Sequence, residues 1–212
     1  MFAKKFKPPM GPRAISLALL FLILPASSFG QKARPSPLDF QFGAGLSTAL
    51  VKSAPAEIQG ISKRSFGFVL SGGAWWHRIL ALRLDGGVEL FDDKRKFRQM
   101  TTGGEKSSSV TFFYGSFAAG IFTPPLRLDQ KPHGARLALG LNLGTDWTGG
   151  ERSIEDCVDC HEEDLDLKGG VYFEPALQLR VSRVSGFDLA YRFYQSHSDL
   201  QNRIIVKYVR LL

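Results

Sequence analysis

Beyond residue 30 the sequence lacks any apolar run long enough for a membrane helix, because charge or glycine interrupts every one within a few residues. Since a spanning helix needs ~20 consecutive apolar residues, a mature chain that lives in a membrane must cross it as a closed barrel. Methionine is scarce, at 3, beside 17 Phe and 22 Gly, a balance that suits many glycine-relieved strands better than a helical bundle. Acidic residues are missing from the first thirty positions, which hold four of the 27 basic residues (Lys4, Lys5, Lys7 and Arg13). The remainder therefore sets 23 cations against 20 acids, a net of +3 rather than the +7 of the whole chain, and no nucleic-acid surface is indicated.

What those thirty residues do contain is a basic start, an apolar run from Ile15 to Leu24, and a Pro25-to-Gly30 segment with Ser28 and Gly30 as small residues. This is the layout of a secretory signal cut before Gln31, since ten apolar residues are too few to remain as a membrane span. Residues 31–37, with Pro35 and Pro37, read as a short periplasmic leader without periodicity.

From Leu38 onward the pattern is alternation, clearest in Leu80 to Phe91. Leu80, Leu82, Leu84, Val88 and Leu90 share one face, while Arg83, Asp85, Gly87 and Glu89 share the other. Seven further segments follow the same period of two: Leu38 to Ser47, Arg64 to Trp76, Ser109 to Phe122, Ala135 to Trp147, Gly170 to Val181, Phe187 to Tyr194 and Arg203 to Leu212. In Ser109 to Phe122 both faces are apolar and the inward one is left open. The connections after the first, third, fifth and seventh segments are polar, whereas those after the second and sixth are tight and Thr123 to Gly134 is rich in Pro and Gly. Long loops at one end and short turns at the other predict an eight-stranded antiparallel up-and-down transmembrane β-barrel over 38–212, both termini on the periplasmic side. Trp75, Trp76, Phe122 and Phe187 near the turns, and Phe91, Trp147, Phe173 and Tyr194 near the loops, are expected to form two interfacial girdles. The alternative is a secreted lipocalin-like barrel or sandwich, its leucine face packed into one core around a small apolar ligand.

This pattern resembles the small outer-membrane barrels of OmpA and OmpX type across residues 38–212. The resemblance implies a location in the outer membrane and recognition of the last strand, ending at Tyr208 and Leu212, by the barrel-assembly machinery. A monomer surrounded by outer-membrane lipid and lipopolysaccharide is expected. Inside such a barrel Arg83, Asp85, Glu89, Arg136, Glu174, Arg180, Asp188 and Arg192 form a network of paired charges. Eight strands leave room only for side chains, which argues against an open diffusion pore and leaves a structural or interaction role for the outer loops.

Four constellations in those loops carry possible chemistry. Cys157-Val158-Asp159-Cys160-His161 matches the C-x-x-C-H site of c-type haem, but the two cysteines are expected to form a disulfide, and no cofactor is expected. Asp156, Asp159, Glu162 and Glu163 crowd around them as oxygen donors for a divalent cation, without the spacing of an EF-hand. Lys94, Arg95, Lys96 and Arg98 are candidate contacts for lipopolysaccharide phosphates. Finally, His197 beside Ser198 is a candidate catalytic pair for acyl transfer. Their position is similar to that of the His and Ser of lipid A 3-O-deacylase barrels, which implies an outer-membrane hydrolase as the enzyme alternative; a plain Ser/Asp-rich turn is the competing reading.

Overall fold

The computed structural model describes residues 38–95, 97–98, 105–106, 108–128, 134–154 and 163–212. The signal and leader assigned to residues 1–37 lie outside them. Eight long strands carry the fold: β1 Leu38–Val51, β2 Ile61–Trp76, β3 Leu80–Asp93, β4 Ser108–Phe122, β5 Arg136–Ile154, β6 Val171–Arg180, β7 Ser185–Tyr194 and β8 Leu200–Leu211. Each pairs antiparallel with its neighbour in sequence, and β8 pairs with β1 from Gln41 opposite Leu211 to Val51 opposite Leu200. Among the described residues the eight long strands close into a barrel.

Closure decides which face of each strand is inside. Leu80, Leu82, Leu84, Val88 and Leu90 are exposed on the outer wall, whereas Arg83, Asp85 and Glu89 are buried. The same division holds around the barrel, with Phe40, Phe42, Phe68, Leu139, Leu143, Leu189 and Val206 outside. This overturns the lipocalin-like alternative, which needs the leucine face in the core. From Leu80 to Leu90 the apolar wall of β3 runs ten residues, about 33 Å along the strand or about 25 Å along the axis at the usual tilt. That height matches the hydrocarbon band of an outer-membrane barrel. In β4 the undecided facing is resolved: Val110, Phe112 and Tyr114 point inward, Phe113 and Phe117 outward.

The aromatic girdles are thinner than expected. Trp76, Phe187, Trp147 and Phe173 do lie on the outer wall, but Trp75, Phe122 and Phe91 are buried inside, and Tyr194 is packed among the interior residues. Strand neighbours alternate faces, so of Trp75 and Trp76 only one can face outward.

Turns follow their local chemistry. The β2–β3 hairpin closes through His77 and Arg78, both at positive φ (50° and 61°), with the Ile79 N–H donating to the Trp76 carbonyl at 3.0 Å. Two consecutive left-handed residues are what a two-residue type I′ hairpin requires. At the opposite end the loop after β1 contains a helix, α1 (Ser53–Gln59), that the polar reading of this stretch missed. Pro55 is tolerated in its first turn, and Gly60 at φ 66° ends it as a left-handed cap. Strand β5 also runs seven residues past the expected Trp147; its extension pairs with the start of β4 and with a short stretch, Glu163–Leu165.

Candidate functional site

The interior of the barrel is the most constructed feature of the molecule. Four carboxylates (Asp85, Glu89, Asp146 and Glu174) meet four cations (Arg83, Arg192, Arg203 and Lys207), all nine-tenths or more buried. Their positions follow from the period of two: each occupies the inward face of its strand, and antiparallel register brings the strands to one level.

Arg192 is the hub. Its Nε donates to Glu174 at 2.6 Å, Nη1 to Asp146 at 3.1 Å and Nη2 to Asp85, while its guanidinium stacks 4.4 Å from the Tyr172 ring centre. Arg83 bridges Asp85, at 3.0 Å, and Glu174, and Asn142 adds a donor to Glu174 at 2.9 Å. Lys207 reaches the other oxygen of Asp85 at 3.1 Å. Arg203 serves Glu89 at 2.9 Å through Nε and Asp146 through Nη1, and lies 3.6 Å from the Tyr114 ring centre. Ser47 and Ser65 donate to the two oxygens of Glu89 at 3.0 and 3.1 Å. Isolated ions cannot be left in such a place; a balanced network in which every carboxylate holds several donors is what makes their burial tolerable.

Above the charges sits an apolar layer of Phe91, Phe112, Val110, Leu165 and Leu200, and above it the loops lock together. The α1 carbonyls that lack helical partners are taken by two arginines: Arg95 donates to Ile58 at 3.1 Å and Arg152 to Gln59. Arg152, itself buried, also donates to Asp93 at 2.6 Å. Burial would raise the Asp93 carboxyl, but the donors on it, from the Ser108 hydroxyl, the Arg95 backbone and Arg152, hold it below the usual carboxylate range. Lys52 donates to the carbonyls of Ser196 and Ser198, tying the first loop to the last.

The residues singled out in the sequence are distributed as follows. Arg83, Asp85, Glu89, Glu174 and Arg192 belong to the central network. Asp188 is buried lower down, accepting from Gln41 at 3.0 Å. Arg136 and Arg180 stand at the turn-side mouth, half-buried, with Arg180 donating to Gln41 at 2.7 Å and to Gln178 at 3.1 Å. Three members were missed: Asp146, Arg203 and Lys207. Asp146 was legible, since it continues the inward face of Asn142; Arg203 and Lys207 were hidden because Ile205 and Val209 give that face of β8 an apolar look.

Among the loop candidates, His197 and Ser198 are not brought together. The Ser198 hydroxyl donates to the Lys168 carbonyl at 3.1 Å and accepts from the Leu200 N–H at 3.1 Å, whereas the exposed His197 ring lies 3.4 Å from the Ser196 hydroxyl. Lys94 is exposed, and Arg95 is turned onto α1 as described. Lys96, the Arg98 side chain, Cys157, Cys160, Asp156, Asp159, Glu162 and the Glu163 side chain lie outside the described residues. Among the described residues no three His, Cys, Asp or Glu side chains form a metal-sized cluster.

No protein-family model and no curated protein matches the chain. Solved structures that resemble it are small eight-stranded outer-membrane barrels. The attachment invasion locus protein Ail of Yersinia pestis, solved with the heparin analogue sucrose octasulfate, is 14% identical, with 83% of this chain and 99% of that one covered at a TM-score of 0.49. Neisserial surface protein A is 13% identical over 83% and 97% of the two chains at 0.41. OprG from Pseudomonas aeruginosa is 10% identical over 82% and 92% at 0.25. At these identities the likeness concerns the strand number and closure alone.

Proposed function

We propose that the chain is a monomeric outer-membrane barrel, exported by a signal over residues 1–30, that acts through its outer loops as a structural or interaction protein. The observation that carries this is the inverted burial of the strands: leucine and phenylalanine cover the outer wall, and buried charge fills the inside. An exposed apolar belt of this size is stable only if lipid covers it. Insertion would pass through the barrel-assembly machinery, with Tyr208 and Leu212 in the closing strand. The filled interior, capped by α1 and the locked loops, supports a role other than diffusion pore. Lys94, Lys96 and Arg98, in the loop after β3, are proposed to face lipopolysaccharide phosphates, and Cys157 and Cys160 to pin the loop after β5.

Fractionation tests the location. The expected result is recovery with the outer membrane and a heat-dependent change in gel migration; a chain found in the soluble fraction refutes it. In planar bilayers the purified protein is expected to show no steady conductance, and stable openings would refute the plugged interior.

A further inference from the structure

Arg210, the penultimate residue of β8, stands directly opposite Phe42 of β1 on one side and Ser185 of β7 on the other. We infer that Arg210 and Ser185 hold the phosphate of an anionic phospholipid at the turn-side edge of the outer wall, an inference that rests on the membrane-barrel reading above.

Facing supplies the first argument. Lys207 and Val209 are buried while Val206 and Tyr208 are exposed, so the period of two puts the Arg210 side chain on the outer face, where it is half-buried. Its neighbours there are Phe42 opposite, Tyr208 two residues along, and Phe187, whose ring centre lies 5.7 Å from that of Tyr208. The outward positions of β7, β8 and β1 hold no acidic residue. Asp39 and Asp188, the carboxylates of those strands, belong to the inward faces, where Asp39 meets Arg78 at 3.0 Å and Asp188 accepts from Gln41 at 3.0 Å. Among the described residues nothing accepts a hydrogen bond or forms an ion pair with the Arg210 guanidinium. A cation on a lipid-facing wall without a protein partner reaches for the headgroup layer.

A second donor lies beside it. The Ser182 hydroxyl oxygen accepts from the Val184 and Ser185 N–H groups at 3.2 and 3.0 Å, which fills both of its acceptor sites. Ser182 is therefore the donor in its 2.7 Å hydrogen bond with Ser185, and the Ser185 hydroxyl proton is left for an acceptor outside the protein. Ser185 shares the outer face of β7 with Phe187, so this proton and the Arg210 fork are side by side, as the oxygens of one phosphate require.

The surroundings select a lipid over a free ion. Val181 and Val184, in the turn between β6 and β7, are exposed on one side of the two donors, and Phe187 and Tyr208 on the other. Donors framed by exposed apolar side chains are best covered by a molecule that carries acyl chains together with its phosphate. A headgroup of net negative charge fits best, because an unopposed cation attracts it while the ammonium of a zwitterionic headgroup competes for the same phosphate.

Native mass spectrometry of the full chain, released from maltoside micelles containing equal amounts of phosphatidylglycerol and phosphatidylcholine, tests the site. Phosphatidylglycerol is expected to be retained in preference. Its retention should fall about fivefold in Arg210→Gln, the share of one cation at an anionic surface, and in the same direction in Ser185→Ala. It should be unchanged in Arg127→Gln, which removes an exposed cation from the same end of the barrel but from the face that Arg136 occupies. Heat-dependent gel migration checks that each variant is folded. Equal retention of the two lipids by the unmodified chain, or undiminished retention by folded Arg210→Gln, overturns the assignment, and so does displacement of the lipid by millimolar glycerol 3-phosphate, which would make the ligand a soluble ester. An unmodified chain without heat-dependent migration refutes the membrane reading itself, whereas a folded, inserted chain without the lipid preference refutes this site alone.

Discussion

Arg192 and Arg203 are both fully buried and both contact two or more carboxylates, yet their removal is expected to differ in cost. Without Arg192 each of its acids keeps a cation: Asp85 retains Arg83 and Lys207, Glu174 retains Arg83, and Asp146 retains Arg203. Without Arg203, Glu89 keeps only the hydroxyls of Ser47 and Ser65. Breaking a buried pair costs about 3–5 kcal/mol, chiefly through the charge left behind. Arg192→Met therefore costs about 3 kcal/mol and Arg203→Met about 5, each also losing a stacking contact, on Tyr172 and Tyr114 respectively, that does not separate the two. Adding Glu89→Gln to Arg203→Met removes the stranded charge and should recover about 2 kcal/mol, although Glu89→Gln alone destabilises. Urea unfolding of the four proteins in micelles, followed by tryptophan fluorescence, gives the comparison. If Arg203→Met is no more costly than Arg192→Met, or the double variant is no better than Arg203→Met, charge pairing does not govern the interior.

Three other outcomes follow from single positions. With Trp75 inside and Trp76 and Trp147 on the outer wall, brominated lipid should quench single-tryptophan proteins retaining Trp76 or Trp147 and spare one retaining Trp75; equal quenching of all three would contradict the register. A Cβ on Gly45 would lie 1.9 Å from the Val206 carbonyl oxygen across the closing seam, so Gly45→Ala should destabilise by about 1–3 kcal/mol in the same urea assay, and a neutral result would refute that contact. The lowered Asp93 carboxyl stabilises the outer cap at pH above the ~4 of an unfolded aspartate, and the benefit is lost as pH falls through its lower folded value. Asp93→Asn should accordingly show a shallower acid loss of stability, and parallel pH curves would exclude this linkage.

Alternation along Leu80 to Phe91 and its seven counterparts was enough to give the strands, their number and the end of the barrel that carries long loops, because side-chain direction in a strand is fixed by local geometry. It also separated Arg83, Asp85, Glu89, Glu174 and Arg192 onto one face before any contact was known. Local pattern failed where pairing rather than composition maintains the strand: Thr148 to Ile154 has no apolar rhythm, yet stays extended against β4. The helix α1 was equally obscure, since seven residues carry too little periodicity and its carbonyls are satisfied from distant parts of the chain, by Arg95 after β3 and Arg152 in β5.

Which face lies inside, and which charges meet there, only the closed sheet decided. A strand has two faces but no knowledge of its neighbours; joining β8 to β1 encloses one set of faces in a space too narrow for water-filled ions, and the partners are then chosen by register across the barrel. Arg203 reaches Glu89, 114 residues away in sequence, for that reason. The juxtaposition of Arg136 and Arg180 at the mouth likewise exists only because antiparallel register sets β5 and β6 level.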